Sequence, residues 1–379
     1  MEQKPPTPAL RTPRRKGQRV GLAILLAALA LGAAHTALWR ITAQQMEAGF
    51  AGWVQLRRSQ GWRVEHGPLA RGGWPFAVTQ TARAVMIEGG GATLPGGMTL
   101  TAERMVMRVA LPRIDRLRVD FPAAQRLRIA DQDWGFVADR LSILVPLAAD
   151  TLPREAELEA EALRIGSPRA APFGAPGVAP VGAALDTLDV SRLRVTLETS
   201  STATEGEAAL RFVLATEGIR LPQALSGRAA AGLGRNIAAL QADLIVTGPV
   251  PSGRVPMQRA EAWRDNGGTL ELRSLSLNWG PINASAAATL ALDEALQPMG
   301  AGTLRIAGAA LALEALAEAG IVGRRAANTA RAMLPLLTRP SANGGPPDIA
   351  VPLTVEDRTL AVARIPVLRF EAWAWPAPP

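Results

Sequence analysis

The residues able to do chemistry are few in this chain of 379 residues, and their types limit what that chemistry could be. Only His35 and His66 are histidines, and there is no cysteine. Hydrolases of the common kinds need a base poised beside a nucleophile. No Ser-His-Asp order, no H-E-x-x-H pair and no phosphate-cradling loop with its lysine is present. His66 follows the parity of Trp62 and Val64, which predicts an inward or edge histidine satisfied by a backbone carbonyl. Without thiols there is no disulfide framework and no thiolate metal site.

Carboxylates cluster at Glu155, Glu157, Glu159 and Glu161, and at Asp131 and Asp133. Paired carboxylates could hydrolyse glycosides. Here, however, the glutamates alternate with Ala156, Leu158, Ala160 and Ala162, as on one solvated face of a strand or helix. Gly89-Gly90-Gly91 and Gly96-Gly97 bracket Leu94-Pro95. With no helix N-terminus behind them they read as a turn and a poor phosphate cradle. Gly72-Gly73-Trp74-Pro75-Phe76 is the most distinctive cluster. Its glycines allow a tight turn, Pro75 holds Trp74 extended, and Trp74 and Phe76 offer a large apolar anchor where a strand begins. No catalytic residue, cofactor or metal site is predicted, and the expected role is non-enzymatic.

The elements that must position these residues follow from composition and period. Hydrophobic content of 48% with 20% charged residues excludes a disordered chain, and 36 Gly with 30 Pro imply many turns between short strands. The net charge of +8 could signal nucleic acid. It is concentrated instead in Lys4, Arg11, Arg14, Arg15, Lys16 and Arg19 against Glu2 alone, and no basic patch interleaved with aromatics occurs. No nucleic-acid partner is expected. Val20 to Trp39 carries no formal charge over 20 residues, enough helix for the roughly 30 Å of a bilayer's hydrocarbon. The basic residues before it predict a cytoplasmic N-terminus and an exported body. A cleaved signal peptide ending at Gly32-Ala33-Ala34 is the alternative.

Met46, Phe50, Trp53 and Val54 recur at helical spacing, so the spanning helix is expected to continue through Ile41 to Ser59. From Trp62 the period becomes two. Alternation returns at Leu117 to Phe121, Leu127 and Ile129, Leu193 to Leu197, Leu210 to Leu214, Leu244 and Val246, Leu304 and Ile306, and Val351 to Val355. The parity of Leu270 and Leu272 differs from that of Leu275, Leu277 and Trp279, which predicts a bulge or break near Ser274. The expected fold is mainly β (α+β), a transmembrane helix followed by a large twisted, mostly antiparallel sheet with a few accessory helices. Its regions are a basic tail (1–19), the span (20–39), a first β-rich region (40–165), a Pro/Gly/Ala-rich linker or loop (166–184) and a second β-rich region (185–379). That last region should carry helices near 311–338.

The span, its continuation, Gly61-Trp62-Arg63-Val64 and Gly73-Trp74-Pro75-Phe76 resemble the bacterial family known as domain of unknown function 2125. So do Trp263, Gly267-Gly268-Thr269-Leu270-Glu271-Leu272, Leu275 to Pro281 and Ala288 to Asp293. The resemblance implies an anchored, exported protein and carries no catalytic residue or cofactor. The strand-plus-Trp279-Gly280-Pro281 phrase is also similar to AsmA-like envelope proteins, which implies a sheet holding lipid in a groove. On this reading the protein sits in the bacterial inner membrane with its body in the periplasm. Membrane lipid is its partner, as anchor and as ligand, with Leu270, Leu272, Leu290 and Leu292 facing the groove. The other expectations are a scaffold docking a second envelope protein and, third, an uncharacterised hydrolase.

Overall fold

A computed structural model describes residues 15–90, 97–129, 132–147, 154–166, 187–222, 233–251, 255–318, 328, 331–332, 338–339, 348–362 and 365–375. Its first element, α1 (Arg15–Ser59), is one helix of 45 residues, about 67 Å long. No proline interrupts it, and alanine and leucine favour it throughout. The Val20–Trp39 part leaves its large apolar side chains exposed from Val20 to Leu31 and is long and apolar enough to cross a membrane. The remainder is amphipathic, as the spacing of Met46, Phe50 and Val54 requires. Ala43 and Val54 are buried there, and Met46 and Phe50 lie against the sheet.

Among the described residues the sheet has 19 strands. Its first part holds β1 (Arg63–Glu65), β2 (Ala70–Gly72), β3 (Ala77–Gly89) and β4 (Met98–Ala110). Four short strands follow, β5 (Arg116–Asp120), β6 (Gln125–Ile129), β7 (Gln132–Val137) and β8 (Arg140–Pro146). From β9 (Glu155–Gly166) the chain runs through β10 (Thr187–Thr199), β11 (Ala208–Arg220), β12 (Asn236–Thr247), β13 (Leu270–Trp279), β14 (Ile282–Leu292) and β15 (Pro298–Ala307). It closes with β16 (Thr338–Arg339), β17 (Asp348–Glu356), β18 (Thr359–Val362) and β19 (Ile365–Arg369). Helices α2 (Pro256–Asp265) and α3 (Ala309–Glu318) follow β12 and β15.

The ladders are antiparallel, with the short strands filling two ranks between β4 and β9. β4 pairs β6 through Met98–Ala102 and β5 through Val106–Arg108. β9 in turn pairs β8 through Glu157–Glu161 and β7 through Arg164–Ile165. β9 and β10 pair directly, so the regions before and after residues 167–186 share one sheet. Almost all of the expected linker at 166–184 lies outside the described residues. So do Asp131, Gly91 and Gly96, and most of residues 319–338, the later part of the stretch expected to carry helices.

Residues directly opposite one another share a face. Met107 faces Val119, Val119 faces Ile143, Ile143 faces Leu158, and Leu158 faces Val195. The rank continues through Leu214, Ala242, Leu275, Ala286, Leu304 and Val351. One apolar face therefore runs nearly the width of the sheet. Charge lies on the other face: Arg140 pairs with Glu161 at 3.2 Å, Arg192 with Glu217 at 2.6 Å, and Arg194 with both Glu157 and Glu159. Of the alternating glutamates, Glu157, Glu159 and Glu161 thus belong to cross-strand ion pairs.

The apolar face survives a fold line. Ala82 and Val85 are both buried on β3, Ala102 and Met105 on β4, and Ala160 and Leu163 on β9, with exposed or half-buried residues between each pair. At this level ladder pairs skip Ala84 and Glu103, then Ala162 and Ser191, then Gly218. The breaks between β5 and β6 and between β7 and β8 fall on the same line. Ala84 (φ 49°), Ala162 (φ 51°) and Gly218 (φ 63°) adopt left-handed backbone there. Irregularity of this kind bends a strand and restores an apolar run to its original face. The expected phase change near Ser274 is likewise a bulge: Leu272 faces Ala288 and Leu275 faces Ala286, leaving Arg273 and Ser274 opposite one residue.

Candidate functional site: an apolar groove

Over β3 and β4 the apolar face is covered. Ala82, Val85, Ala102, Met105 and Met107 form a buried cluster against which Met46 and Phe50 of α1 pack. The cover is tied down by hydrogen bonds. Trp39 Nε1 donates to the Ala77 carbonyl at 2.9 Å, Gln80 Nε2 to the Ala43 carbonyl at 2.9 Å, and Arg58 to the Val64 carbonyl at 2.6 Å.

Beyond that cover the same face forms a groove of about 660 Å³ lined from β4, β6, β7, β8, β9 and β10, a volume within the range of roughly 300–1,000 Å³ found for small-molecule sites. Leu100, Leu127 and Trp134 stand in one cross-strand rank, and Gln125, Phe136, Ile165 and Leu188 in the next. Leu141, Ile143, Leu158 and Leu193 complete the far side. Most of these side chains are half-buried, forming an apolar floor open to solvent.

Gln125 is the one polar residue in the lining. It is 3% exposed, and its Nε2 donates to the carbonyls of Phe121, at 3.1 Å, and Ala123. Its Oε1 is buried and has no hydrogen-bond partner. A lone buried acceptor costs about 1–3 kcal/mol, so an unmet demand for a donor lies beside the groove.

The residues singled out by sequence lie elsewhere. Leu270 faces Leu290 across β13 and β14, and Leu272 faces Ala288, so the first three share the groove's face but lie several strands away. Leu292 borders a separate apolar cavity of about 320 Å³ with Trp263, Trp373 and Trp375. Trp62 lies against Gly89, where a Cβ would come within 2.3 Å of the indole. Trp279 Nε1 donates to the Gly234 carbonyl at 2.8 Å, while Gly280 (φ 53°) precedes Pro281 at the β13–β14 turn. Gly73 (φ 89°) turns the chain where a Cβ would meet the Ala77 carbonyl at 2.6 Å.

Trp74 and Phe76 depart from the expected anchor. They are 61% and 81% exposed, because the turn that carries them projects past the end of β3 and, among the described residues, no element packs over it. His66 matches expectation, its Nδ1 donating to the Gly67 carbonyl at 2.7 Å beside the Phe50 ring. Among the described residues no cluster of acidic or histidine side chains could hold a metal ion.

Sequence reasoning missed Met98, Leu100, Trp134, Phe136, Leu163 and Ile165 as groove residues. The available signal was alternation on both sides of each irregularity, since Leu163 and Ile165 carry the opposite parity to Leu158 and Ala160.

Fold and groove define a class: a single-sheet β-protein led by one long apolar helix, with an open apolar site on the face that the helix partly covers. The chain belongs to the bacterial family described as uncharacterized protein conserved in bacteria (DUF2125), matched over residues 39–371. Comparison with curated proteins gives no match.

Proposed function

We propose that this is a non-enzymatic envelope protein, anchored in the bacterial inner membrane by Val20–Trp39, that holds a long acyl chain in the groove over β6 to β10. The carrying observation is the apolar floor left open on a face that α1 closes only over β3 and β4. An exposed apolar surface of this size marks a binding site in a protein that remains soluble outside its anchor. Gln125 Oε1 supports a ligand that carries an O–H or N–H donor near its chain. The basic residues preceding Val20 support a cytoplasmic N-terminus and an exported body.

The test is native mass spectrometry of the full chain extracted gently into nanodiscs, with the Leu158→Glu variant alongside. Bound acyl lipid is expected in the wild type and at least a tenfold loss in the variant, with a melting temperature close to wild type because the site opens to water. Absence of lipid from wild type, with a protein co-purifying through this face, would replace carriage by docking of an envelope partner. Gln125→Leu sharpens the ligand class. A primary fatty amide should lose its preference over its N,N-dimethyl counterpart by about threefold to tenfold, the worth of one hydrogen bond.

A further inference from the structure

The turn at Trp74 lies beside the membrane segment. His35, inside the charge-free run, donates Nε2 to the Pro75 carbonyl at 2.6 Å, and Trp39 at its end donates to the Ala77 carbonyl at 2.9 Å. A loop held at that depth by two hydrogen bonds stands level with the last turns of the span. Its side chains are apolar and uncovered, Trp74 at 61% and Phe76 at 81% exposure.

Two neighbouring loops extend this rim. The Leu111 amide donates to the Phe76 carbonyl at 2.9 Å, tying the end of β4 to the start of β3, and the Leu147 amide to the Asp115 carbonyl at 2.7 Å, tying the end of β8 to the start of β5. They carry exposed Ile114 and Leu147, with exposed Arg113, Asp115 and Arg116 flanking Ile114 in the chain. Outside α1, the exposed large apolar residues among those described lie at this same end of the strands, with the single exception of Leu311. Indole and phenyl rings flanked by arginine suit the boundary between headgroups and acyl chains, where the ring is half solvated and the guanidinium meets phosphate.

We propose that Trp74, Phe76, Ile114 and Leu147 form a second membrane contact, seated in the leaflet from which α1 emerges and fixing the body against the lipid surface. This rests on the reading of Val20–Trp39 as a span and is independent of lipid carriage in the groove.

The absence of cysteine allows a direct test in the full chain reconstituted into vesicles of phosphatidylethanolamine and phosphatidylglycerol. Nitroxide labels are placed singly by Phe76→Cys, Leu311→Cys and Leu26→Cys, and collisions with oxygen and with a water-soluble nickel chelate are compared. All three positions are exposed on the protein, so the substitutions leave packing intact, and circular dichroism checks the fold. The Phe76 position should favour oxygen several-fold over the chelate, as the Leu26 position does, while the Leu311 position favours the chelate. Chelate access at Phe76 equal to that at Leu311, with Leu26 protected, overturns the contact while leaving the span intact. Protection of Phe76 from both reagents overturns it in favour of a protein cover, and chelate access at Leu26 removes the span and the contact together.

Discussion

Two stretches of the same apolar face invite comparison. Over β3 and β4 the rank holding Met107 is sealed by α1, whereas a few strands along, at Ile143 and Leu158, the same rank is open. The residues are of one kind and the ladder is continuous, so strand chemistry does not separate the core from the groove. The difference is the partner: α1 is amphipathic over its second half and ends at Ser59, before it can reach β6. Binding surface here is core surface that lacks a cover.

That comparison breaks most visibly with a matched pair of truncations. Met107→Ala removes a side chain that is 4% exposed and should cost about 2–5 kcal/mol, as buried large-to-small changes do. Leu158→Ala, half-buried in the groove wall, should cost about 1 kcal/mol while lowering bound lipid. Equal losses in urea denaturation would mean that the groove is ordinary core. A smaller effect comes from the cover itself. Phe50 packs on the covered cluster and against His66, its ring 5.0 Å from the imidazole. Phe50→Ala should therefore cost about 2 kcal/mol and raise binding of an apolar dye by exposing the β3–β4 surface. Unchanged dye binding would show that α1 is not what closes that end.

The smallest effect belongs to the opposite face. Asp243 accepts two hydrogen bonds from Arg211, and these hold its carboxyl below the ordinary range against the opposing effect of burial. Because the folded-state pKa is depressed, this contribution is present above the ordinary aspartate range and is lost as pH falls through the folded value. Both side chains are partly exposed, so solvent screening limits the pair to about 1 kcal/mol or less. Asp243→Asn should flatten the acid limb of melting temperature against pH and leave lipid content unchanged. A shift in bound lipid would mean that the charged face communicates with the groove.

Much of this was legible in the residues. A charge-free run of 20 residues can only be satisfied by hydrocarbon or by a buried core. The spacing of Met46, Phe50 and Val54 required the helix to continue past the span, as it does to Ser59. Strict alternation at Leu193, Val195 and Leu197 gave strands with one wet face, and the parity change at Ser274 gave a bulge. The long strands β3 and β4 were harder to see, because left-handed Ala84 and the irregularity at Glu103 reverse the phase within each. Helix α2 was also missed, being a short segment behind Pro256 in a proline-rich interruption.

What the sequence determined by itself was which residues are apolar and on which side of each strand they stand, because a period of two is a local property of the backbone. Which strands become neighbours, and which part of the shared face is left uncovered, was decided only by the tertiary structure. The groove is the space between where α1 ends and where the sheet continues, so it depends on the placement of residues as distant in the chain as Phe50 in the cover and Leu193 in the wall. Leu290 and Leu158 look alike in sequence. Only the order of strands and the reach of one helix make Leu158 part of the groove wall.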